Sequence, residues 1–291
     1  DFCLSRGLGD VYKRQEKHTD PAILDYLHGR REFAKEKWLE ASQVLERAYP
    51  GLVRRPELAR RAALLLGYCY EQLGNSDEQY TAYRRALGED PSDPSWLTAS
   101  EGVAQALLAL NKVSEAVQAY EKLIPQLPGA RIVVARLLIV RNLGLPESPQ
   151  KTRNWTEIDQ LLVDSAKLFP KSADVAILRA QALAARSRYQ EAEAVLQTAR
   201  DTEPQSVLPW VARAGLESAR GKPRNALTIL DEAEKELEGD HIELPLARIR
   251  FLLQTEDKDV AKSLAKVEQD AGKKFTAAEQ LLQLWRGLGE A

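Results

Sequence analysis

The sequence predicts an all-α protein, a solenoid of antiparallel helix pairs repeated along the chain. The evidence is an even spacing of about 34 residues between the ends of successive units, at Pro170, Pro204 and Glu238. Each unit contains two helical patterns joined by a short polar turn. Small residues also recur at matching positions, namely Ala180, Ala192 and Ala199 in one unit and Ala214, Ala226 and Ala233 in the next. Small side chains at fixed positions indicate helices that cross closely.

This arrangement resembles the tetratricopeptide repeat, which has Trp, Leu, Gly and Tyr in its first helix and Ala, Phe and Ala in its second, before a closing proline. The unit that ends at Pro204 has alanine at the small positions, and the following unit has Trp210 at the tryptophan position. The resemblance covers roughly residues 21–291. Because several units are not strict, the chain also resembles long multi-repeat proteins of planctomycete-like bacteria.

Units upstream of Pro170 follow the same pattern. The first has Gly29, Ala41, Leu45 and Ala48; the second has Leu66, Gly67, Tyr70, Tyr83, Ala86 and Pro91, with Gln79 in place of alanine; the third has Ala104, Ala116, Tyr120 and Pro128. These units are longer than 34 residues, and we expect the extra residues to lie in loops, because a helix pair cannot absorb them without losing its apolar stripe. Pro146 and Pro149 predict a loop inside the fourth unit.

The pattern weakens after Glu238, where Pro245 and Ile249 blur the register of a degenerate seventh pair. Residues 275–291 have the pattern of a further first helix. We therefore expect about seven helix pairs and the first helix of another over residues 21–291. Residues 1–20 are expected to be a disordered or non-native leader, since residues 1–15 resemble translated sequencing-adaptor sequence. The chain contains no methionine, and we interpret it as a fragment.

The resemblance implies a right-handed superhelix whose inner groove is lined by first helices and binds an extended peptide or a partner helix. Carrying over the family's groove positions gives the candidate partner-binding residues Arg61, Tyr68, Glu101, Gln105, Arg136, Asn142 and Gln181. The second half of this groove is expected to be lined by small, uncharged residues, including Gly215 and Ser218. The alternative is that all of these are ordinary solvated surface residues.

The composition argues against several other classes of protein. Lys and Arg total 41 against 43 Asp and Glu, so the net charge is −2 and no basic stripe indicates nucleic-acid binding. Residues 132–140, the longest apolar stretch, are interrupted by Arg136 and too short to cross a membrane. Two cysteines and three scattered histidines indicate no metal site, and no phosphate-binding loop or nucleophile with its base is visible. We expect no cofactor and, by default, a cytoplasmic protein.

These observations predict a non-catalytic scaffold for protein–protein interaction, with a protein or peptide partner of unknown identity. The alternative is a regulatory or substrate-recruiting arm of a larger enzyme, such as a glycosyltransferase or kinase, whose catalytic domain lies outside this sequence. Aromatic residues are expected to serve the core. Trp38, Trp155 and Tyr189 share one position that we expect to be buried, and Trp210 occupies another.

Overall fold

A computed structural model describes residues 20–88, 91, 93–144, 154–255 and 260–274, and within these ranges the chain has 14 α-helices and no strand. The helices are α1 (Pro21–Phe33), α2 (Trp38–Leu52), α3 (Pro56–Gln72), α4 (Ser76–Ala86), α5 (Pro94–Ala109), α6 (Val113–Leu123), α7 (Ala130–Gly144), α8 (Thr156–Leu168), α9 (Ala173–Ala184), α10 (Tyr189–Thr202), α11 (Leu208–Ala219), α12 (Pro223–Glu236), α13 (Glu243–Leu252) and α14 (Val260–Lys274). The prediction of an all-α fold of repeated helix pairs is confirmed. Residues 1–19 and 275–291, which carry the predicted leader and final helix, lie outside the described residues.

The helices divide between two compact units, Asp1–Ala130 and Arg131–Ala291. In the first unit every helix from α1 to α6 packs against the next, and the first helices α1, α3 and α5 also contact one another in order. In the second unit the same pattern runs from α8 to α14, with contacts between the first helices α9, α11 and α13. Each unit is therefore a stack of helix pairs whose first helices lie side by side.

The turn between the two helices of a pair has a recurring backbone geometry. One residue adopts a left-handed conformation in five pairs, at Glu36, Gly74, Asn111, Ser187 and Gly221. The following amide donates a hydrogen bond to a carbonyl five residues earlier, as in Asn75 N to Tyr70 O at 2.9 Å and Lys222 N to Glu217 O at 3.0 Å. This bond caps the exposed carbonyls at the end of the first helix and turns the chain into the second. The turn thus fixes the pairing of the helices.

The alanines at the predicted helix crossings are buried. Ala192, Ala214 and Ala226 are completely inaccessible to solvent, and Ala180 is 3% exposed. Ala199 is only partly buried. The departures from the pattern are accommodated, since Gln79 and Ile158 are buried at the position where other units have alanine. The small-residue register therefore identifies the inter-helix core.

Tyr83 on α4 packs between the first helices of the second and third helix pairs. Its ring lies between two glycines: a Cβ atom added at Gly67 on α3 would come within 2.7 Å of the ring, and one added at Gly102 on α5 within 2.5 Å. The Tyr83 hydroxyl donates to Glu71 Oε2 at 3.1 Å, and burial raises the pKa of Tyr83, as does the nearby Glu71 carboxylate. Both glycines are therefore needed for the close approach of an aromatic ring.

We expect Gly102→Ala to lower the free energy of unfolding by about 1 kcal/mol. Overpacking against the Tyr83 ring costs about 1–3 kcal/mol, while alanine gains up to about 1 kcal/mol of helix propensity. The matched control is Gly215→Ala on α11, where an added Cβ would meet only Phe251, at 4.0 Å. The control should be neutral or stabilising in urea unfolding, and equal responses of the two variants would contradict the tight packing at Tyr83.

The aromatic residues at the start of the second helices are less buried than expected. Trp38, Trp155 and Tyr189 are all half-buried, because each has one face against the end of the next first helix. The guanidinium of Arg186 lies 5.2 Å from the Trp155 ring, and that of Arg220 lies 4.9 Å from the Tyr189 ring. Trp210, by contrast, is 3% exposed and belongs to the core, as predicted.

Candidate partner-binding surface

The candidate residues of the first unit lie on the first helices α3 and α5, which pack side by side. Arg61 and Tyr68 are two helical turns apart on α3 and both are exposed. Glu101 and Gln105 are one turn apart on α5; Glu101 is half-buried and Gln105 exposed. Residues spaced by four or seven share one helix face, so the structure brings the four residues onto neighbouring faces of two adjacent helices.

Tyr68 belongs to a cluster of three aromatic rings, hereafter the aromatic cluster. Its ring centroid lies 5.4 Å from that of Phe33, the last residue of α1, and 5.5 Å from that of Trp38, the first residue of α2. Phe33 and Trp38 are themselves 5.2 Å apart, edge to face. Such contacts stabilise the cluster beyond its buried area. Because Phe33 and Trp38 are half-buried and Tyr68 is 41% exposed, the cluster forms an apolar surface that solvent still reaches.

Polar groups lie at the ends of this surface. The carboxylate of Asp93 caps α5 by accepting from the Ser95 amide at 2.8 Å, and it lies 3.8 Å from Arg60 Nη2. Hydrogen bonds from Ser95 hold the pKa of Asp93 below its usual value, and the positive charges of Arg60 and Arg61 contribute. Glu101 lies near Tyr120, whose pKa is raised by burial and by the Glu101 charge. Gln105 makes no hydrogen bond with any described residue, and its amide is available to a ligand.

The candidate residues of the second unit do not form a comparable surface. Arg136 is exposed and lies in an ion pair with Asp174, with Nη2 and Oδ1 3.2 Å apart. Gln181 is exposed on α9. Asn142 is only 2% exposed, and its side-chain amide donates to the backbone carbonyl of Asn154 at 2.8 Å. The side chain of Asn142 therefore binds the backbone before α8 and would have to break that bond to reach a partner, so its role in the groove stays a prediction.

The buried titratable groups near the aromatic cluster are poor nucleophiles. Burial raises the pKa of the Cys69 thiol to about 11, and burial with the neighbouring Glu46 charge raises the pKa of Tyr70 to about 12. Both groups are protonated at neutral pH. Within the described ranges no group of three or more His, Cys, Asp and Glu side chains could hold a metal ion. In the same part of the chain, no helix combines the length and apolar character needed to cross a membrane.

Sequence reasoning missed Phe33 and Trp38 as parts of this surface. Trp38 was assigned to the core, and Phe33 was not considered. A signal for Phe33 was present, because it lies four residues after Gly29, as Glu71 lies four residues after Gly67, and the family resemblance places Glu71 in the groove. The clustering itself depends on the contact between successive pairs, which brings Tyr68 of α3 against the turn between α1 and α2.

Comparison with known proteins agrees with this architecture. The model of the tetratricopeptide repeat family matches residues 26–94 and 159–207. No curated protein matches the chain at a significant level. Among solved structures, a tetratricopeptide repeat protein from Parabacteroides merdae is 18% identical, with a TM-score of 0.66 over 92% of this chain and 98% of that one.

Two further structures show the same fold. A tetratricopeptide repeat protein from Thermus thermophilus is 24% identical, with a TM-score of 0.50 over 67% of this chain and 100% of that one. An assembly chaperone of the protein RpL4 is 15% identical, with a TM-score of 0.53 over 87% of this chain and 100% of that one. The helix pairs, the small-residue register and two matches to the repeat model identify tetratricopeptide repeats at residues 26–94 and 159–207 of this chain.

Proposed function

We propose that this chain is a scaffold that binds a peptide or helix of a partner protein on the first helices of its first unit, with the aromatic cluster as anchor. The observation that carries the proposal is the partial exposure of three rings in mutual contact, with Tyr68 41% exposed. Aromatic anchors held rigid before binding lose little entropy on association and dominate interface energies.

The polar residues around the cluster suit such a partner. Gln105 offers a free amide donor and acceptor to a peptide backbone. Arg61 and Glu101 supply opposite charges at separate positions, which would fix the orientation of a bound segment. Tetratricopeptide repeats support a protein-interaction scaffold, and the raised pKa values of Cys69 and Tyr70 disfavour their nucleophilic, deprotonated forms.

Tyr68→Ala should abolish most peptide binding while leaving the fold intact. Peptides selected from a display library on the purified chain are expected to bind the variant about 10- to 30-fold more weakly, because truncation of an aromatic hot spot costs about 2 kcal/mol. Fluorescence anisotropy with the selected peptides measures the affinities.

The control for this experiment is Tyr80→Ala, which removes a half-buried tyrosine from the second helix α4. It should leave the affinity within about twofold of the parent. If the selected peptides bind the Tyr68 variant as tightly as the parent, the aromatic cluster is not the binding surface and the proposal fails.

A further inference from the structure

We infer that the second unit holds a separate docking groove for an acidic, extended segment of a partner protein. The groove lies between the first helices α11 and α13 and the start of α12, and its volume is about 1000 Å³. Its walls are Gly215 and Ser218 on α11, Lys222 and Arg224 at the start of α12, and Arg250 and Gln254 on α13. The inference rests on the proposed scaffold function and assigns it a second partner chemistry.

The groove is lined by three cations and by no Asp or Glu among the described residues. Lys222, Arg224 and Arg250 are exposed, and none of them forms an ion pair with a described residue. Arg250 lies over the Phe251 ring, 4.9 Å from its centroid. Most other arginines of the second unit are paired, as in Arg213 with Glu193 and Arg248 with Asp231. Three exposed cations without an ion-pair partner among the described residues therefore surround this one groove.

Among the described residues, the neighbouring carboxylate of Glu217 is already engaged by other side chains. It pairs with Arg220 and accepts from Asn225 Nδ2 at 3.1 Å. These hydrogen bonds lower the pKa of Glu217 against the opposing effect of burial, and Lys222 contributes only through its charge. The three cations thus keep their capacity to bind carboxylates supplied from outside.

The space in the groove and the polar groups on its walls favour a peptide as the ligand. Gly215 places no side chain in the groove, so a backbone can approach α11 closely. Ser218 Oγ donates to Gln254 Oε1 and ties the two walls together, which leaves the Gln254 amide nitrogen as a donor for a peptide carbonyl. Arg250 stands on one wall and Lys222 and Arg224 on the other, so the alternating side chains of an extended segment could reach both.

A nucleic acid fits the same charges less well. Single-stranded nucleic acid needs exposed aromatic platforms for its bases, and the one ring that lines the groove, Phe251, is 2% exposed. The chain also has a net charge of −2 and therefore lacks a general attraction for phosphates. Carboxylate side chains on a peptide are the ligand that the groove fits.

The test uses an eight-residue peptide with glutamate at alternate positions and blocked ends, and an otherwise identical peptide with glutamine. We expect only the acidic peptide to bind the purified chain. The triple variant Lys222→Gln, Arg224→Gln, Arg250→Gln should bind it about 20-fold more weakly, since each exposed charge pair contributes about threefold in affinity. Salt at about 0.5 M should weaken binding by screening.

The control variant is Lys235→Gln, which removes an exposed and unpaired cation from the far end of α12. It should leave the affinity unchanged, and thermal melts of both variants should match the parent. Equal binding of the two peptides, unchanged affinity in the triple variant, or tighter binding of a single-stranded oligonucleotide at the same residues would overturn the inference. The library-selected peptides that depend on Tyr68 could bind the triple variant as tightly as the parent, while the acidic peptide does not bind the parent. In that case this inference fails and the proposed scaffold function stands.

Discussion

Tyr83→Ala is expected to destabilise the first unit by about 3–5 kcal/mol, as is typical for removing a large buried aromatic side chain. Tyr83 is 4% exposed, and its ring fills the space between Gly67 and Gly102. Neither glycine has a side chain that could close the resulting cavity, and the helices cannot move together without disturbing the alanines around them. The loss should therefore lie at the upper end of the range for large-to-small substitutions.

Urea unfolding followed by circular dichroism measures this effect. Tyr80→Ala is a useful control, because Tyr80 lies on the same helix but is half-buried. This substitution should lower the free energy of unfolding by about 1 kcal/mol, less than half the loss expected for Tyr83→Ala. If Tyr83→Ala unfolded at the same urea concentration as the Tyr80 variant, the ring would not be the contact that joins the second and third pairs.

Ala192→Leu and Ala226→Leu should each lower stability by about 1–3 kcal/mol through overpacking. Both alanines are completely buried where the two helices of a pair cross. A leucine would force the helices apart, because neighbouring side chains such as Leu196 and Leu230 already fill the surrounding core. Thermal melts of the two variants provide the measurement.

The matched control for this prediction is Ala194→Leu, which makes the same change on α10 at an exposed position. It should change stability by no more than about 0.5 kcal/mol, as surface substitutions usually do. Melting temperatures of the two core variants that equal the parent's would show that the small-residue register is misplaced.

The fold could be predicted from the sequence because the repeat imposes the same packing constraint many times. The buried positions Ala192 and Ala226 followed directly from that constraint. The turns were harder to predict, since Glu36, Asn111 and Ser187 adopt a left-handed conformation that local sequence normally assigns to glycine. In these pairs, helix packing and the capping hydrogen bond outweigh the local preference.

The candidate surface could be predicted only in part. Family positions located Tyr68, but they could not show that Phe33 and Trp38 pack against it, because that depends on contacts between successive pairs. They placed Asn142 in the groove, although its amide satisfies a backbone carbonyl in another segment. The cations around Gly215 were also missed, because whether a charged side chain is paired depends on its three-dimensional neighbours.

The most direct test of the scaffold account is photo-crosslinking of a library-selected peptide to the first unit. A photoreactive phenylalanine analogue replaces Gln105 on the first helix α5 or, as a matched control, Gln118 on the second helix α6; both glutamines are exposed. The account predicts crosslinks at position 105 that disappear with Tyr68→Ala, and none at position 118. Crosslinks at 118 in preference to 105, or crosslinks at 105 that persist without Tyr68, would contradict it.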